Sequence, residues 1–131
     1  MRFPRAGQTV DAYLLSADRT GRVDLVLTPA DIEDFLGTRA FTLVPKFLYT
    51  IPLYFIVPDK TSKADVPTVV SDGVLCVGPV LICGRDETVR SLSEFELNAI
   101  ADSMELEKID GTMRLILHNI SRDPVEWRGT I

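Results

Sequence analysis

The chain has 131 residues, of which 46% are hydrophobic and 25% charged, and its formal net charge is −5 at pH 7. This length suits one domain with one core, and the balance of apolar and charged residues argues against intrinsic disorder. The acidic excess and the scatter of the 14 Lys and Arg residues weigh against direct nucleic-acid binding, which needs clustered positive charge.

Targeting and membrane segments are not expected. The first seven residues are followed by no apolar core of a signal peptide. The apolar run Phe47–Val57 has eleven residues with Pro52 among them, which is too short to cross a bilayer as a helix. We therefore expect a cytoplasmic protein that has no membrane partner.

The N-terminal part predicts a hairpin followed by a short helix. Thr28 has the character of a helix N-cap, Pro29 fits the first helical position, and Asp31 can reach back toward the cap. Gly37 is expected to end this helix. The two strands of the hairpin are predicted at Val10–Ser16 and Arg22–Leu27.

Prolines decide the limits of the next two predicted strands. The strand Arg39–Val44 is expected to end at Pro45, and Phe47–Val57 follows with aromatic and β-branched residues. A proline cannot donate to a strand ladder, so Pro52 predicts that the second strand is bulged or lies at the sheet edge. A polar loop is predicted at about 58–67.

The uncharged stretch Gly73–Gly84 is the centre of the predicted core, after a short candidate strand at Thr68–Val70. A strand buried on both faces, or two short strands packed together, would explain its composition. It contains both cysteines, Cys76 and Cys83, which neither arrangement places side by side. We interpret them as buried reduced thiols, with a disulfide or a metal pair as the alternatives.

A second helix is predicted to begin at Ser93, where Glu96 completes a capping box. It is expected to run to about residue 104 or 105, and a final strand, Met113–Ile120, precedes a tail without periodicity, Ser121–Ile131. The water-facing stripe of the helix is Glu94, Asn98, Asp102 and Glu105.

Few residues have the type and spacing of a catalytic or metal site. The common phosphate, dinucleotide and zinc-protease motifs and C-x-x-C are missing from the sequence. His118 is the single histidine, and we interpret it as structural, since a Cys-His pair would require tertiary proximity. The carboxylates near the helix starts match the helix dipole. We therefore predict no catalytic residue, no metal and no cofactor, and a protein that is not an enzyme.

Three groups of residues resemble recognition surface. The aromatic residues of the proline-interrupted strand could pack in the core or form a dimer or partner interface. The acidic face of the second helix is solvated by default, or it docks a basic partner. In the tail, Trp and Arg are typical interface anchors, unless the Trp folds back over the core. The candidate partner-binding residues are Phe47, Tyr49, Tyr54, Phe55, Glu94, Asp102, Glu105, Trp127 and Arg128.

Several motifs carry a resemblance to a known family. They are Ile32–Gly37 leading into Phe41–Pro45, Val77–Gly84 after Gly73, and Ser91–Ser93 at the start of a helix. In these motifs, over about residues 22–104, the chain resembles an uncharacterised small domain of phage, plasmid and conjugative-element proteins. The resemblance implies no activity but a setting, that of small accessory proteins of mobile DNA, which often bind and block host defence machinery.

We expect an α+β fold in one domain, residues 1–131, with a core at about 8–120 and a tail at 121–131. A mixed or mainly antiparallel sheet of five to seven strands would carry two helices. The expected function is a non-enzymatic inhibitor, of the anti-CRISPR or anti-restriction type, that blocks a host nuclease or defence complex by steric occlusion. The alternatives are a homodimeric architectural protein, and a small hydrolase or ligand-binding domain that uses Cys83 or His118.

Overall fold

A computed structural model describes residues 7–16, 19–59, 67–71, 74–77, 79–109 and 112–122. These residues form two helices, neither of which is long and apolar enough to cross a membrane. The helices are α1 (Pro29–Leu36) and α2 (Glu94–Asp102). The strands are β1 (Thr9–Leu15), β2 (Gly21–Val26), β3 (Phe41–Leu48), β4 (Ile51–Pro58), β5 (Pro67–Ser71), β6 (Val74–Val77), β7 (Val80–Arg85), β8 (Val89–Arg90), β9 (Met104–Ile109), β10 (Thr112–Leu117) and β11 (Ile120–Arg122).

The main sheet has seven strands in the order β11-β3-β4-β7-β1-β2, with β8 paired to the end of β7. Every neighbouring pair in it is antiparallel. Two further antiparallel pairs, β5–β6 and β9–β10, lie outside this sheet, and β5 lies beside β10. The predicted α+β class is confirmed, with a main sheet that is antiparallel throughout.

Each face of the main sheet packs against one helix. Alternation along a strand sends successive side chains to opposite faces, and the two resulting apolar clusters are separate. On one face, Leu81 and Ile56 belong to the cluster that includes Ile32 and Leu36 of α1. On the other face, Phe55, Ile82 and their neighbours pack with Leu97 and Ile100 of α2. These are called the α1 face and the α2 face below.

The second half of the uncharged stretch is β7, which lies between β4 and β1. Its first four side chains, from Val80 to Cys83, have no exposed surface, which confirms a strand buried on both faces. The first half contains β6, which pairs with β5. Because β4 and β1 occupy both edges of β7, β6 and β7 do not form a hairpin with each other.

The predicted limits of β3 and β4 are wrong. Pro45 lies inside β3, opposite Tyr54, and the chain reverses at Tyr49 and Thr50 before β4 begins. β4 is a central strand, so Pro52 does not mark an edge. The β11 ladder on β3 covers 46–48, and the β7 ladder on β4 covers 53–56. Each proline is paired within the β3–β4 ladder but lies one residue beyond the ladder on the other edge of its strand, so its missing N–H does not interrupt that second ladder.

The second helix ends earlier than predicted, and the residues after it form a strand. The Ser103 N–H donates to the carbonyls of Ala99 and Ile100, which closes α2 at Asp102. The next residues form β9 instead of another helical turn, and β9 pairs with β10. The predicted final strand is divided, since Asn119 has a φ of 65° between β10 and β11. Most of the predicted loop at 58–67 and of the tail lies outside the described residues.

Candidate functional site

A surface groove of about 330 Å³ lies between α2 and the turn that joins β3 to β4. Its lining residues are Tyr49, Phe95, Asn98, Ala99, Asp102 and Ser103; we call it the aromatic groove. Tyr49 is 64% exposed and Phe95 is 74% exposed, and among the described residues these two are the large apolar side chains that stay exposed. Two open aromatic rings on one groove mark it as the candidate site.

The turn between β3 and β4 fixes Tyr49 in a conformation that few side chains adopt. Its φ is 54°, in the left-handed region that glycine and asparagine usually occupy. The Tyr49 N–H donates to the Asn119 carbonyl over 3.0 Å, and the preceding residue, Leu48, pairs with Ile120 of β11. The turn is therefore held by the segment Asn119–Ile120 beside it, which offsets the local cost of the conformation.

The other wall of the groove is the outer side of α2. The Ser93 side chain accepts from the Glu96 N–H, and the Glu96 carboxylate accepts from the Ser93 N–H, which forms the predicted capping box. Leu97 and Ile100 are buried against the sheet. At helical spacing, Phe95, Asn98 and Asp102 lie on the side of α2 that faces away from the sheet.

The carboxylates along α2 and just after it differ in their partners. Glu94 forms an exposed ion pair with Arg22, and Glu96 forms two hydrogen bonds of 2.7 Å with Arg90. Farther along the chain, Glu105 lies in β9, with its Oε2 2.8 Å from His118 Nε2. The exposed carboxylate that lines the groove, that of Asp102 at the end of α2, differs from these three in its partners.

Asp102 makes no hydrogen bond or ion pair within the part of the chain that the structure describes. It lies at the C-terminal end of α2, where the helix dipole disfavours negative charge. No basic residue occupies the last turn of the helix. Within the described ranges, the negative charge beside the two aromatic rings of the groove therefore has no compensating partner.

The predicted site residues are divided among several places. Tyr49 and Asp102 come together in the aromatic groove, as does Asn98, which the sequence analysis placed on the water-facing stripe. Phe95 was missed, although its position outside the arc of Leu97 and Ile100 could have identified it as exposed. Glu94 and Glu105 are exposed beside other partners, and Trp127 and Arg128 lie outside the described residues.

The other aromatic candidates do not belong to the groove. Phe55 is fully buried on the α2 face and Tyr54 is buried on the α1 face, so neither can contact a partner of the folded protein. The Arg85 guanidinium lies 5.0 Å from the Phe47 ring and 5.6 Å from the Tyr54 ring. Phe47 is half-buried there. The prediction of one aromatic strand fails because β3 and β4 are separate strands.

Cys83 and His118 do not form a nucleophile and base pair. Cys83 is a free, fully buried thiol on the α1 face, and burial raises its pKa to about 12. It is therefore protonated at neutral pH, whereas a nucleophilic cysteine is an accessible thiolate. His118 lies beside the C-terminal end of α2, where its N–H donates to the Ser103 carbonyl over 2.8 Å and its Nε2 is 2.8 Å from Glu105 Oε2. Between residues 7 and 122, the described positions contain no group of three or more acidic, His or Cys residues suited to a metal ion.

Comparison with protein-family models, with curated proteins and with solved structures finds no match to this chain. The resemblance to the mobile-element domain accordingly stays a prediction from the sequence.

Proposed function

We propose that the protein is a non-enzymatic protein-binding module and that the aromatic groove is its docking surface. The observation that carries the proposal is the exposure of Tyr49 and Phe95, 64% and 74%, on the two walls of one groove. Fully burying a large apolar side chain contributes about 1.5–3 kcal/mol, so a partner that covers both rings gains substantial free energy. Aromatic residues are also enriched at protein interfaces.

Both rings are presented by ordered backbone, which favours binding. Tyr49 is fixed by the β3–β4 turn and by its hydrogen bond to Asn119. Phe95 lies in the first turn of α2, whose N-terminal end is held by the capping box. Ordering a flexible surface costs free energy at the moment of association. A groove with both walls set before binding avoids most of that cost.

The biological setting is a further part of the proposal. We propose an accessory protein of a phage or mobile element that acts in the host cytoplasm and blocks a nuclease or defence complex by steric occlusion. The resemblance over about residues 22–104 supports this setting. The net charge of −5 also suits a partner with a basic surface, since opposite charge speeds association.

Site-specific photocrosslinking tests the docking surface. The photoreactive residue p-benzoylphenylalanine would replace Phe95, and in a matched control it would replace Asp34, an exposed residue of α1 on the other face of the sheet. We expect one protein to be captured from position 95 and not from position 34. The purified partner should then bind the Phe95→Ala variant roughly tenfold or more weakly, as at an interface hot spot.

Equal capture from both positions, or unchanged binding of the purified partner by Phe95→Ala, would contradict the docking surface. Capture of a second copy of this chain would support the alternative of a homodimer formed through the groove. Sedimentation of the wild type and of Phe95→Ala would then separate a dimer from a monomer.

A phage-plating assay tests the setting separately. Cells that carry a CRISPR or restriction system would express the chain and be challenged with a phage that the system targets. We expect a higher plating efficiency, which Phe95→Ala abolishes at equal protein level and Asp34→Asn preserves. If the chain raised the plating efficiency against none of the systems tested, defence inhibition would be contradicted. The crosslinking result would not be affected.

A further inference from the structure

Three features of the aromatic groove favour a positive charge: its ring faces, its carboxylate and the helix end beside it. The faces of the Tyr49 and Phe95 rings are negative because of the ring quadrupole, and they attract cations within about 6 Å of the ring centroid. Asp102 adds a full negative charge on the groove lining. The C-terminal end of α2 adds the negative pole of the helix dipole.

Among the described residues, the Asp102 carboxylate differs from the other acids of its region because no basic side chain lies beside it. Glu94 and Glu96 each have an arginine partner, and Glu105 lies beside His118. Asp102 has none in the described residues, and it occupies the end of the helix where a negative charge is least favourable. A cation bound in the groove would compensate both the carboxylate and the helix end.

We propose that the groove binds an arginine side chain of a protein partner. This inference depends on the proposed function, because it names the partner chemistry for the same surface. A guanidinium is planar, so it stacks on aromatic rings, and it can donate two parallel hydrogen bonds to a carboxylate. The ring faces would hold its plane and Asp102 would accept its N–H groups. Lysine has the charge but lacks the planar surface.

The protein makes this type of contact elsewhere. The Arg85 guanidinium lies over Phe47 and Tyr54, and that of Arg19 lies 5.7 Å from the Phe35 ring centroid. The groove offers two rings and an acid to an arginine that the described chain does not supply. Its volume of about 330 Å³ is at the lower end of small-ligand pockets, about 300–1,000 Å³, which suits one long side chain.

A peptide titration followed by NMR tests the inference on the full, ¹⁵N-labelled chain. The probe is acetyl-Gly-Arg-Gly-amide, and the matched control peptide has citrulline, a neutral residue of nearly the same shape, in place of arginine. We expect concentration-dependent shifts of the Tyr49, Phe95, Asn98 and Asp102 amide signals with the arginine peptide. The citrulline peptide should produce clearly smaller shifts, since it retains the planar shape but loses the charge.

The variant Asp102→Asn should bind the arginine peptide about two- to fivefold more weakly, as expected when an exposed ion pair is lost. Asp34→Asn removes the same charge from α1 and should leave the affinity unchanged. Both substitutions are at exposed positions, so the dispersion of the amide spectrum should be that of the wild type.

Equal shifts from the arginine and citrulline peptides, or no shift at the groove amides, would overturn the inference. Equal weakening by Asp102→Asn and Asp34→Asn would do the same, because only net charge would then matter. In each case, capture of a partner from position 95 would still support the proposed docking surface. Loss of that capture would instead remove the proposed function itself.

Discussion

Arg90 and Glu96 form the ion pair that anchors α2 to the main sheet. Two hydrogen bonds of 2.7 Å join the guanidinium to the carboxylate, which also accepts the Ser93 N–H over 2.9 Å. The same side chain thus caps the helix and ties it to β8. Hydrogen bonding from Arg90 to the ionised form lowers the pKa of Glu96 to about 2. The wall of the aromatic groove depends on this contact.

The Glu96→Gln variant should lose stability in a pH-dependent way. The pKa of Glu96 is lower in the folded state than in the unfolded chain. The ion pair therefore contributes its full stabilisation of the fold at any pH above the pKa of the unfolded chain. That contribution is lost as the pH falls from about 4.5 toward about 2. We expect Glu96→Gln to lower the free energy of unfolding by about 1.5–3 kcal/mol at neutral pH, and by progressively less in acid.

Urea denaturation followed by circular dichroism at several pH values measures this difference. Glu94→Gln is the control, since it removes a carboxylate from the same helix that is paired only at the surface with Arg22. Its effect should be much smaller. A difference between Glu96→Gln and the wild type that stays constant from neutral pH into acid would show that the pair is not the cause.

Gly84 lies beneath Arg90, where a side chain does not fit. An added Cβ would lie 2.4 Å from Arg90 Nη1 and 2.9 Å from its Cγ. Arg90 could move aside only by giving up its bonds to Glu96. We therefore expect Gly84→Ala to lower the free energy of unfolding by about 1–3 kcal/mol, the usual cost of overpacking.

A double-mutant cycle identifies the cause of that loss. In an Arg90→Ala background the space above Gly84 is open, so the added methyl group should cost little. Urea denaturation of the four proteins gives the coupling between the two positions. If Gly84→Ala costs the same with and without the Arg90 side chain, then the clash with Arg90 is not its origin.

The two helix starts lie where local chemistry predicts them. Thr28 caps α1 and accepts the Asp31 N–H, and Gly37 ends the helix with a φ of 76°. One detail differs, since the Asp31 carboxylate accepts the N–H of Val26 over 2.7 Å instead of that of the cap residue. Asp31 therefore ties α1 to the end of β2. Caps depend on residues three or four positions apart, so they can be predicted without tertiary structure.

Thr28→Ala and Asp31→Ala should each destabilise the protein. Loss of the Thr28 cap is expected to cost about 0.5–2 kcal/mol. Loss of the Asp31 carboxylate leaves the Val26 N–H without this partner, at a cost of about 1–3 kcal/mol. Asp34→Ala, at an exposed position of the same helix, should change stability by less than about 0.5 kcal/mol. Thermal or urea unfolding measures all three, and an equal loss in Asp34→Ala would contradict the capping argument.

The strands were harder to predict because tertiary pairing decides them. Pro45 suggested a strand end, but β3 continues because the β11 ladder begins only at the next residue. The turn at Tyr49 was missed because an aromatic residue rarely adopts a positive φ. β9 contains Glu, Leu and Lys, which favour a helix, yet pairing with β10 prevails. The groove brings together residues of α2 and of the β3–β4 turn, and no local pattern encodes that proximity.

At the scale of the whole molecule, the main sheet separates the aromatic groove from the apolar cluster that packs against α1. The sheet divides two apolar clusters, one packed with α1 and one with α2. The groove lies on α2 and on the turn at the end of β3, so α1 and its cluster take no part in it. This arrangement makes Asp34 on α1 a suitable control for changes in the groove. It also lets the groove vary in sequence with little effect on the α1 face.

Hydrogen exchange of the native protein should show the highest protection at the centre of the sheet. Leu81 and Ile82 of β7 pair with β1 on one side and with β4 on the other, and both are fully buried. We expect their amides to exchange only through global unfolding, with a free energy equal to that from urea denaturation.

The three-residue strand β11 pairs with β3 through Ile120, Ser121 and Arg122, and short outer strands open locally. The Tyr49 N–H depends on the Asn119 carbonyl beside this strand, so it should exchange faster than the amides of β7 and together with those of β11. If the amides of β11 and Tyr49 were as protected as Leu81, then β11 would open only with the whole sheet. If Leu81 exchanged as fast as Tyr49, β7 would not be the stable centre that its burial indicates. The free energy of this local opening measures how firmly the Tyr49 wall of the groove is held before a partner binds, in the same experiment that measures the centre of the fold.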